Sequence, residues 1–422
     1  MSFSGKSILL IGYNFWPEPT GIGKYSGEMI EWLAEKGARC SVITTYPYYP
    51  HWKVQEPYRS KRFFYSKEKK KIGQGSVRIL RCPVYIPKNP TGIKRMIQDA
   101  TFFLSATAAA KYLAFTSSKY DYTIAVAPSF FVGFPALVYR LLRKNKILYH
   151  IQDLQIEAAE QLGMIKSPFL LSTLYRLEKY ILKKVNGASS ISQAIVHKVE
   201  AKTQTQVHLL PNWSDTDFFY PLDDQKELKR KFGFDPQKQV VLYSGAVGKK
   251  QGLEMILDAA ESLEDRSIQF VICGSGPYSD VLKQNAQKRS LRNLTFLPLQ
   301  PIEKFNDFLN MADLHLVIQK SGASDLLLPS KLTNILSVGG LALITASPNT
   351  SLYELNQNHN LAIVVQPENQ KAFEKGIETA FENAEDQAER RKNARRYAET
   401  YLHKNSIMNS ISRIFEVFDA NS

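Results

Sequence analysis

The sequence predicts an α/β protein made of two Rossmann-like, doubly wound domains that face each other across a cleft. Three observations predict this fold class. Short apolar runs alternate with amphipathic helical patterns, as in parallel sheets with crossover helices. The alternation stops at His208–Leu222, where turn residues replace any periodicity, and then restarts. The chain has 422 residues, which is enough to give each half its own core.

The first predicted domain covers residues 1–210. Its strands are expected at the apolar runs SILLIG, RCSVITT, SVRILRCPV, YTIAVAP, ILYHIQD and GASSIS. Its helices are expected at residues 24–36, 93–115, 132–143, 168–184 and 193–202. The cation-rich stretch Arg59–Lys71 is interpreted as a surface loop.

The second predicted domain covers residues 211–400 and repeats the same alternation. Its strands are expected at QVVLYSGAVG, IQFVICGSG, NLTFLPLQ, LHLVIQ and LALITA. Helices are predicted to begin near Leu253, Tyr278, Ile302 and Lys331, and one or two more close the chain. Doubly wound sheets bind ligands at the carboxyl ends of their strands, so the motifs at those ends are the candidates for function.

Composition excludes several classes of protein. No stretch reaches the roughly 18 uninterrupted apolar residues of a membrane span, and the polar start Met1–Gly5 does not resemble a secretory signal. The three cysteines lie in apolar contexts without metal-ligand spacing, which predicts reduced core residues in a cytosolic protein.

The net charge of +14 is unevenly distributed. Residues 1–210 contain 30 lysines and arginines against 13 acidic residues, whereas the remainder contains 24 against 27. This asymmetry indicates an anionic surface that faces the first half only. Within that half, Arg59–Lys71 mixes cations with Phe63 and Phe64.

Two glycine-rich stretches end strands of the second half. In SGAVGKKQGLE, Gly245 permits close backbone approach to an anion, and Lys249 and Lys250 supply mobile cations. In CGSGP, Gly274 and Gly276 follow the next strand, so they are expected at the same edge. Each stretch on its own also fits an ordinary turn into a helix.

The segment DLLLPSKLTN offers a third anion site. Ser330 is predicted to cap a helix that begins at Lys331, so that its hydroxyl, nearby amides and the Lys331 ammonium could face an oxyanion. A plain capped helix explains the same residues.

Two candidates lie in the first half. His150 and Asp153 sit where a buried strand meets a loop, which suits either a structural or a catalytic role. Gly21 and Gly23 in TGIG permit a backbone close to a ligand, in a loop stiffened by Trp16 and two prolines. The spacing is not that of a dinucleotide site, which disfavours nicotinamide and flavin cofactors.

In this order, the motifs resemble the retaining glycosyltransferases of the GT-B fold, in the bacterial group of WcaI- and WbuB-like enzymes. The stretches that carry the resemblance are GYNFWPEPTGIGKYSGEM, TTYPYYPHW, HIQDLQIEAAEQLG, LPNWSDTDFF, SGAVGKKQGLE, CGSGP and LPSKLTNILSVGG. They run from Gly12 to Gly340, so the resemblance covers essentially the whole chain.

The resemblance implies that the second domain binds a nucleotide sugar and that the closing segment, residues 401–422, packs back on the first domain. It implies no metal and no other cofactor, because lysines and helix dipoles would stabilise the departing nucleoside diphosphate. His150 would lie near the transferred sugar, with Asp153 beside it as a second catalytic candidate. The implied donor-binding residues are Gly21, Gly23, Gly245, Lys249, Lys250, Gly274, Gly276, Leu299, Ser330, Lys331 and Asn334.

Two departures from the family pattern concern the donor contacts. Relatives often have two glutamates eight positions apart, where this chain has Leu326 and Asn334, although Asp325 is adjacent to the first. They also often have Arg where this chain has Ala246. Lys331 is therefore expected to be a more important diphosphate contact than Lys249.

The resemblance also implies an acceptor and a location. Similar enzymes extend polyprenyl-diphosphate-linked glycans on the cytoplasmic face of the membrane, for exopolysaccharide, capsule or O antigen. A GDP- or UDP-linked deoxyhexose such as fucose or N-acetylfucosamine is compatible with the resemblance. The region from Lys94 to Phe115 and the basic stretch are expected to dock on anionic lipid. The expected membrane contacts in that stretch are Arg59, Lys61, Arg62, Phe63, Phe64, Lys69, Lys70 and Lys71.

Three alternatives remain open from the sequence. A UDP-sugar 2-epimerase of similar architecture would need carboxylate acid and base groups in its cleft. A non-catalytic membrane-associated scaffold would explain the departures at Leu326 and Asn334. Nucleic-acid binding is suggested only by the basic pI and has no binding module behind it.

Overall fold

The computed structural model describes residues 3–18, 21–88, 92–161, 163, 165, 167–320, 329–348 and 350–420. It divides into two compact units, of which unit 1 contains residues 1–211 and 408–422 and unit 2 contains residues 212–407. Each unit is an α/β domain built on one sheet. The predicted fold class of two Rossmann-like domains is confirmed.

Unit 1 carries an eight-stranded sheet within its described residues, in the order β3-β4-β2-β1-β5-β6-β7-β8. All neighbouring pairs are parallel except β3 and β4. The strands are β1 Ser7–Gly12, β2 Arg39–Thr45, β3 Ser66–Ile72, β4 Gly75–Cys82, β5 Tyr122–Ala127, β6 Lys146–Ile151, β7 Gly187–Ser190 and β8 Val207–Leu209.

The helices of unit 1 cover this sheet. They are α1 Gly21–Glu35, α2 Gly92–Thr116, α3 Gly133–Arg143, α4 Gln155–Gln161, α5 Pro168–Lys184 and α6 Gln193–Glu200. Every residue of β1 and β5 is buried, which explains their uninterrupted apolar sequences.

Unit 2 has a six-stranded parallel sheet in its described part, in the order β11-β10-β9-β12-β13-β14. The strands are β9 Gln239–Ser244, β10 Ile268–Cys273, β11 Leu294–Leu297, β12 Leu314–Val317, β13 Ala342–Thr345 and β14 Ala362–Val365. The helices are α7 Gln225–Lys231, α8 Glu254–Ser262, α9 Ser279–Lys288, α10 Ile302–Asn310, α11 Ser330–Ser337, α12 Ser351–His359, α13 Gln370–Glu382 and α14 Ala384–Tyr397.

The last helix, α15 Lys404–Ala420, begins in unit 2 and continues into unit 1. In unit 1, the ring of Phe415 stacks on that of Tyr122 at 3.9 Å between centroids. Burial acts to raise the pKa of the Asp419 carboxyl, but hydrogen bonds from Lys146, Tyr122 and Lys6 outweigh it and hold that pKa at about 2. The carboxylate therefore keeps its partners at any pH near neutrality.

The chain passes into unit 1 at residue 408, seven residues later than the expected boundary at 401. The delay has a packing cause, because Leu402 lies in the hydrophobic core of unit 2. In addition, the Ser214 amide donates to the Leu402 carbonyl at 2.8 Å.

Three local predictions were wrong. The expected basic loop contains strand β3, which pairs antiparallel with β4 along its whole length. The stretch His208–Leu222, expected to contain only turn residues, begins inside strand β8. Ser330 is the first residue of α11 rather than its cap, since Pro329 occupies the cap position without a side-chain hydrogen bond.

No helix among the described residues is long and apolar enough to cross a membrane.

Candidate active site

In unit 2, the loops that follow β9 and β10 pack backbone against backbone. The Gly245 amide donates to the Cys273 carbonyl at 2.9 Å, and the Val247 amide donates to the Ser275 carbonyl at 3.0 Å. A Cβ at Gly274 would lie 1.9 Å from the Gly245 carbonyl oxygen, and one at Gly276 would lie 2.1 Å from the Val247 carbonyl oxygen. These two glycines are therefore required by the contact between the loops.

Lys331 lies beside this pair of loops, in the first turn of α11. Its Nζ is 3.7 Å from the ring centroid of Tyr243, and a Cβ on Gly245 would lie 3.2 Å from it. This Nζ is buried and has no hydrogen-bond partner within the described part of the chain. Burial lowers the pKa of the ammonium to about 7.

A buried amine without a hydrogen-bond partner is costly, because it loses its hydration and the contact with the Tyr243 ring returns only part of that loss. Such groups concentrate at functional sites. An anion that entered beside Gly245 would supply the missing hydrogen-bond acceptor and favour the charged form of the Lys331 amine. This environment is therefore suited to binding a phosphate group.

The remaining residues of unit 2 that were expected to bind the nucleotide-sugar donor differ in accessibility. Ser330 and Lys249 are exposed, and Leu299 follows β11 with 54% of its surface exposed. Lys250 lies in the short 3₁₀ turn Lys249–Gln251. The side-chain carbonyl of Asn334 already accepts a 3.0 Å hydrogen bond from the Ser214 hydroxyl. Asp325 and Leu326 lie outside the described residues.

In unit 1, the loop after β1 is organised by a carboxylate that the sequence analysis missed. Glu18 is buried and accepts hydrogen bonds from the amides of Tyr48 and Tyr49, each at 2.9 Å, and from the Asn14 side chain at 2.8 Å. Burial raises the pKa of this carboxyl. Its position between two prolines in WPEPTG was the available signal.

The two glycines of TGIG have different structural roles. A Cβ at Gly23 would lie 2.6 Å from Glu18 Oε2, so Gly23 makes room for that buried side chain. Gly21 is exposed, begins α1 and has a φ of +62°, a left-handed conformation that favours glycine. Thr20, between the prolines and this helix, is outside the described residues.

His150 is fully buried within β6. Its Nδ1 lies 2.9 Å from the Ser189 hydroxyl, and its Nε2 has no partner among the described residues. Burial lowers the pKa of the imidazole to about 4. His150 is therefore neutral near pH 7 and can donate or accept a hydrogen bond without titrating. Asp153 is partly exposed and lies between β6 and α4.

A second group of side chains that sequence reasoning did not find lies at the carboxyl edge of this sheet. The Tyr13 hydroxyl donates to Asp99 Oδ1 at 2.5 Å, and the Gln155 amide donates to Asp99 Oδ2 at 3.1 Å. Tyr13 follows β1, Asp99 lies on α2, and Gln155 begins α4. Tyr13 and Asp99 are 86 positions apart in the sequence, so there was no local pattern to detect.

The basic stretch and α2 share one surface of unit 1. The Tyr65 hydroxyl donates to the Ser105 carbonyl at 3.0 Å, and Lys67 Nζ donates to the Tyr112 hydroxyl at 2.6 Å. Phe63 and Phe64 are 67% and 71% exposed. Exposed side chains also follow one stripe of α2, namely Ile97, Ala100, Leu104, Ala108, Lys111 and Phe115.

Strand alternation divides the lysines of β3 between two faces. Lys69 and Lys71 share a face with Lys67, which contacts α2. Lys70 points to the other face, where its Nζ lies 4.7 Å from the Trp16 ring centroid and 3.9 Å from Glu31 Oε1. Arg59, Lys61 and Arg62 lie in or directly after the 3₁₀ turn Arg59–Lys61 that precedes this strand.

No group of three or more potential metal-ligating side chains occurs among the residues described.

The sequence of this chain is similar to those of known proteins. Residues 224–397 match the family model described as glycosyl transferases group 1. The chain is 39% identical over 380 residues to the putative colanic acid biosynthesis glycosyl transferase WcaI of Escherichia coli (strain K12). That match covers 87% of this chain and 90% of the relative.

Solved structures share the fold at low sequence identity. Sucrose-phosphate synthase from Thermosynechococcus elongatus matches with a TM-score of 0.74 and 16% identity, over 99% of this chain and 100% of that one. Anabaena HepE in complex with UDP and glucose matches with a TM-score of 0.69 and 13% identity, over 98% and 100% of the two chains.

Proposed function

The chain belongs to the group 1 glycosyltransferases, hexosyltransferases of the GT-B fold, and on this basis we propose what it transfers. The donor is a GDP- or UDP-linked sugar, with a deoxyhexose such as fucose or N-acetylfucosamine as the first candidate. The acceptor is a polyprenyl-diphosphate-linked glycan in exopolysaccharide, capsule or O-antigen synthesis. Transfer retains the anomeric configuration.

The buried, unpartnered amine of Lys331 beside Gly245 is the observation that carries this proposal. A departing nucleoside diphosphate develops negative charge, and a cation in a site shielded from water stabilises that charge strongly. In this assignment Lys331, Ser330, Lys249, Lys250 and the Gly245 loop hold the diphosphate. The nucleoside lies near Gly274, Gly276 and Leu299, and the Asn334 amide donates to a ribose or sugar hydroxyl.

Two relatives support the assignment. HepE was solved with UDP and glucose, and the name of the Escherichia coli relative refers to colanic acid biosynthesis. Within this proposal the reaction needs no metal, because the lysines and the start of α11 supply the positive charge.

The proposal gives unit 1 a part in the same reaction. Neutral His150 orients the transferred sugar through a hydrogen bond, with Asp153 beside it. Within unit 1, Gly21 lets the exposed start of α1 present its backbone amides to an anion, whereas Gly23 acts through Glu18.

A thermal-shift screen tests the donor site. Purified protein is mixed with GDP, UDP, ADP, NAD and their sugar conjugates, with and without EDTA. A micromolar ligand at millimolar concentration raises the midpoint by several degrees, so GDP or UDP should do so independently of EDTA. The absence of any nucleotide shift would contradict the donor site assigned to unit 2 and favour a scaffold.

A product assay separates transfer from epimerisation. Incubation of the stabilising nucleotide sugar with the protein and bacterial membranes should release free nucleoside diphosphate and label lipid-linked glycan. Conversion to an epimeric nucleotide sugar without labelled lipid would instead identify a 2-epimerase.

The membrane is the proposed location. The face that carries Phe63, Phe64, Lys69 and Lys71, together with Arg59, Lys61, Arg62 and the α2 stripe, docks on anionic lipid at the cytoplasmic side. Lys70 is not part of this docking face, because it contacts Trp16 and Glu31.

A further inference from the structure

Asp99 is a carboxylate whose orientation is fixed on both sides. Tyr13 donates to one oxygen and Gln155 donates to the other. Burial raises the pKa of Asp99, while the hydrogen bonds from Tyr13 and Gln155 and the charge of Arg95 act in the opposite direction. These partners follow β1 and β6 or lie on α2 itself, so three elements orient one carboxyl group.

This carboxylate still has hydrogen-bonding capacity. An ionised carboxylate offers about four acceptor positions, of which Tyr13 and Gln155 occupy two. Asp99 and Gln155 are partly exposed, so a ligand can reach them, whereas Tyr13 is buried. An oriented, accessible acceptor of this kind recognises hydroxyl groups, which are the functional groups of a glycan.

The turn of α2 that precedes Asp99 has different chemistry. Lys94, Arg95, Met96 and Ile97 are all exposed. The Arg95 guanidinium lies 5.2 Å from the ring centroid of Trp52, and the Trp52 ring lies 5.5 Å from that of Tyr48. Cations, apolar side chains, aromatic rings and an oriented carboxylate therefore occur together at one end of one helix.

The spacing of these groups fits an amphiphilic ligand. Arg95 and Asp99 are four residues apart, so they lie on one face of α2 and are separated by about 6 Å along its axis. A single hexose ring bridges such a separation between a diphosphate and a hydroxyl group. The exposed Met96, next to Arg95, supplies an apolar contact for the start of a hydrocarbon chain at the same end of the helix.

We propose that the first two turns of α2 form the acceptor subsite. Asp99 accepts a hydrogen bond from a hydroxyl of the lipid-linked sugar, and Lys94 and Arg95 contact its diphosphate. Tyr13 and Gln155 are positioning residues that hold the carboxylate. This inference rests on the proposed function, since it assigns the acceptor of that reaction.

The test compares lipid diphosphates that carry different sugars or none. Farnesyl diphosphate and a panel of farnesyl-diphosphate-linked sugars (glucose, galactose, N-acetylglucosamine and fucose) are titrated in detergent micelles by calorimetry. The full-length wild type should bind at least one sugar-bearing probe about tenfold more tightly than farnesyl diphosphate, because a hydrogen bond to a charged group contributes about that much.

Asp99→Asn and Tyr13→Phe should reduce this sugar preference to less than twofold. Both variants should keep the wild-type affinity for farnesyl diphosphate itself and the same nucleotide thermal shift. Arg95→Gln should instead weaken binding of all probes, including farnesyl diphosphate, and leave the ratio unchanged.

Matched controls come from the opposite edge of the same sheet. Asp121 accepts from the Ser7 amide at 2.7 Å, and the Tyr120 hydroxyl donates to Ser41 at 2.6 Å. Asp121→Asn and Tyr120→Phe remove comparable hydrogen bonds in unit 1, so they report general destabilisation. They should preserve the sugar preference.

Two results would overturn the assignment. One is a wild type that shows no preference for any sugar-bearing probe, and the other is an Asp99→Asn variant that retains the full preference. The nucleotide thermal shift is measured on the same samples. A failed acceptor subsite with an intact nucleotide shift leaves the transferase proposal standing, whereas loss of both refutes the two together.

Discussion

At the scale of single residues, Lys331 combines a buried amine, an aromatic ring below it and a glycine loop beside it. Burial lowers the pKa of this amine to about 7, so its proton is lost far more readily than that of an ordinary lysine. An anionic ligand favours the protonated form, so binding and proton uptake are linked. The donor site is thus sensitive to pH in a range where few other groups titrate.

We predict that nucleoside-diphosphate affinity falls as pH rises from 7 to 9. The charged amine binds the diphosphate, and the free site loses that charge above its pKa near 7. Lys331→Met should weaken UDP or GDP binding at pH 7 by tenfold or more, in keeping with loss of a charge-assisted hydrogen bond, and should flatten the pH dependence. Calorimetric titrations at several pH values measure both effects.

The same variant provides an internal control for folding. Methionine has a similar length and no charge to bury, so the free Lys331→Met protein should melt at the same temperature as wild type or higher. If the variant's nucleoside-diphosphate affinity fell above pH 7 as steeply as that of wild type, the pH dependence could not be assigned to Lys331.

Gly276 supports a prediction that concerns packing alone. Alanine at this position would place its Cβ 2.1 Å from the Val247 carbonyl oxygen, and backbone cannot move away cheaply. We expect Gly276→Ala to lower the stability of unit 2 by about 2–4 kcal/mol and to abolish the nucleotide shift. Thermal unfolding followed by circular dichroism measures the loss.

Gly233 is the matched control for that substitution. It has a φ of +80°, and nothing lies within 4 Å of a Cβ built on it. Gly233→Ala should therefore cost only the backbone strain, about 1 kcal/mol. Equal losses of stability from the two substitutions would show that the contact between the loops does not contribute to the stability of unit 2.

At the scale of elements, β3 explains why the basic stretch is a surface rather than a flexible loop. It is the edge strand of the sheet, and lysines on an edge discourage pairing with other chains. Its antiparallel pairing with β4 fixes Lys69 and Lys71 on the face of Lys67, whose ammonium reaches Tyr112 of α2. The strand thereby arranges the cations beside the apolar stripe of that helix.

We predict that the double variant Lys69→Glu/Lys71→Glu binds anionic vesicles at least tenfold more weakly than wild type. Each cation near such a surface contributes about 1 kcal/mol, and the new carboxylates are repelled. Flotation with phosphatidylglycerol and phosphatidylcholine vesicles at two salt concentrations measures binding. Lys283→Glu/Lys288→Glu, on the exposed side of α9, is the control. Wild-type binding that ignored both salt and lipid charge would exclude this docking mode.

Elements whose signal is local were predictable from the sequence. β1, β2 and α5 have the predicted bounds, because buried parallel strands are continuous apolar runs and Pro168 marks the start of a helix. β3 was missed because KEKKK lacks apolar residues, and its strand conformation comes from pairing with β4. Strand propensities are assigned to single residues, so they do not include the contribution of a pairing strand.

The residues of the candidate site also divide into those with a local sequence signal and those without one. The Lys331 position follows from a local signal, a lysine in the first turn of a helix after a proline. The Glu18 network and the Tyr13–Asp99 pair join residues 30 and 86 positions apart, so they exist only once the sheet has formed. The role of Gly23 likewise became clear only when Glu18 filled the space beside it.

At the scale of the whole molecule, unit 1 is assembled from both ends of the chain. Residues 408–420 complete it, with Phe415 against Tyr122 and Phe3, and with Phe418 against Gly187. A Cβ at Gly187 would lie 2.7 Å from the Phe418 ring, so this contact is tight. Unit 2, in contrast, is one continuous segment, residues 212–407.

We predict that Phe415→Ala lowers the stability of unit 1 by about 3–5 kcal/mol, the usual cost of removing a buried phenyl ring. Scanning calorimetry should then show one transition at lower temperature, and UDP or GDP should raise the other. Phe308→Ala, in the core of unit 2, should instead lower the temperature of the nucleotide-sensitive transition. Phe169→Ala, at an exposed position, should change neither transition. A Phe415→Ala variant that shifted only the nucleotide-sensitive transition would contradict this division.

Unit 1 is built from two separate segments of the chain, and this has a consequence for biosynthesis. Domains generally fold in order as the ribosome delivers them, the N-terminal one first. Here the codons for unit 2 are read before those for residues 408–420, so the continuous unit can mature while the earlier sheet still lacks its last helical segment. A chain that terminates prematurely within unit 2 therefore leaves Tyr122 and Gly187 without their aromatic cover, and such fragments present an apolar surface that chaperones and proteases recognise.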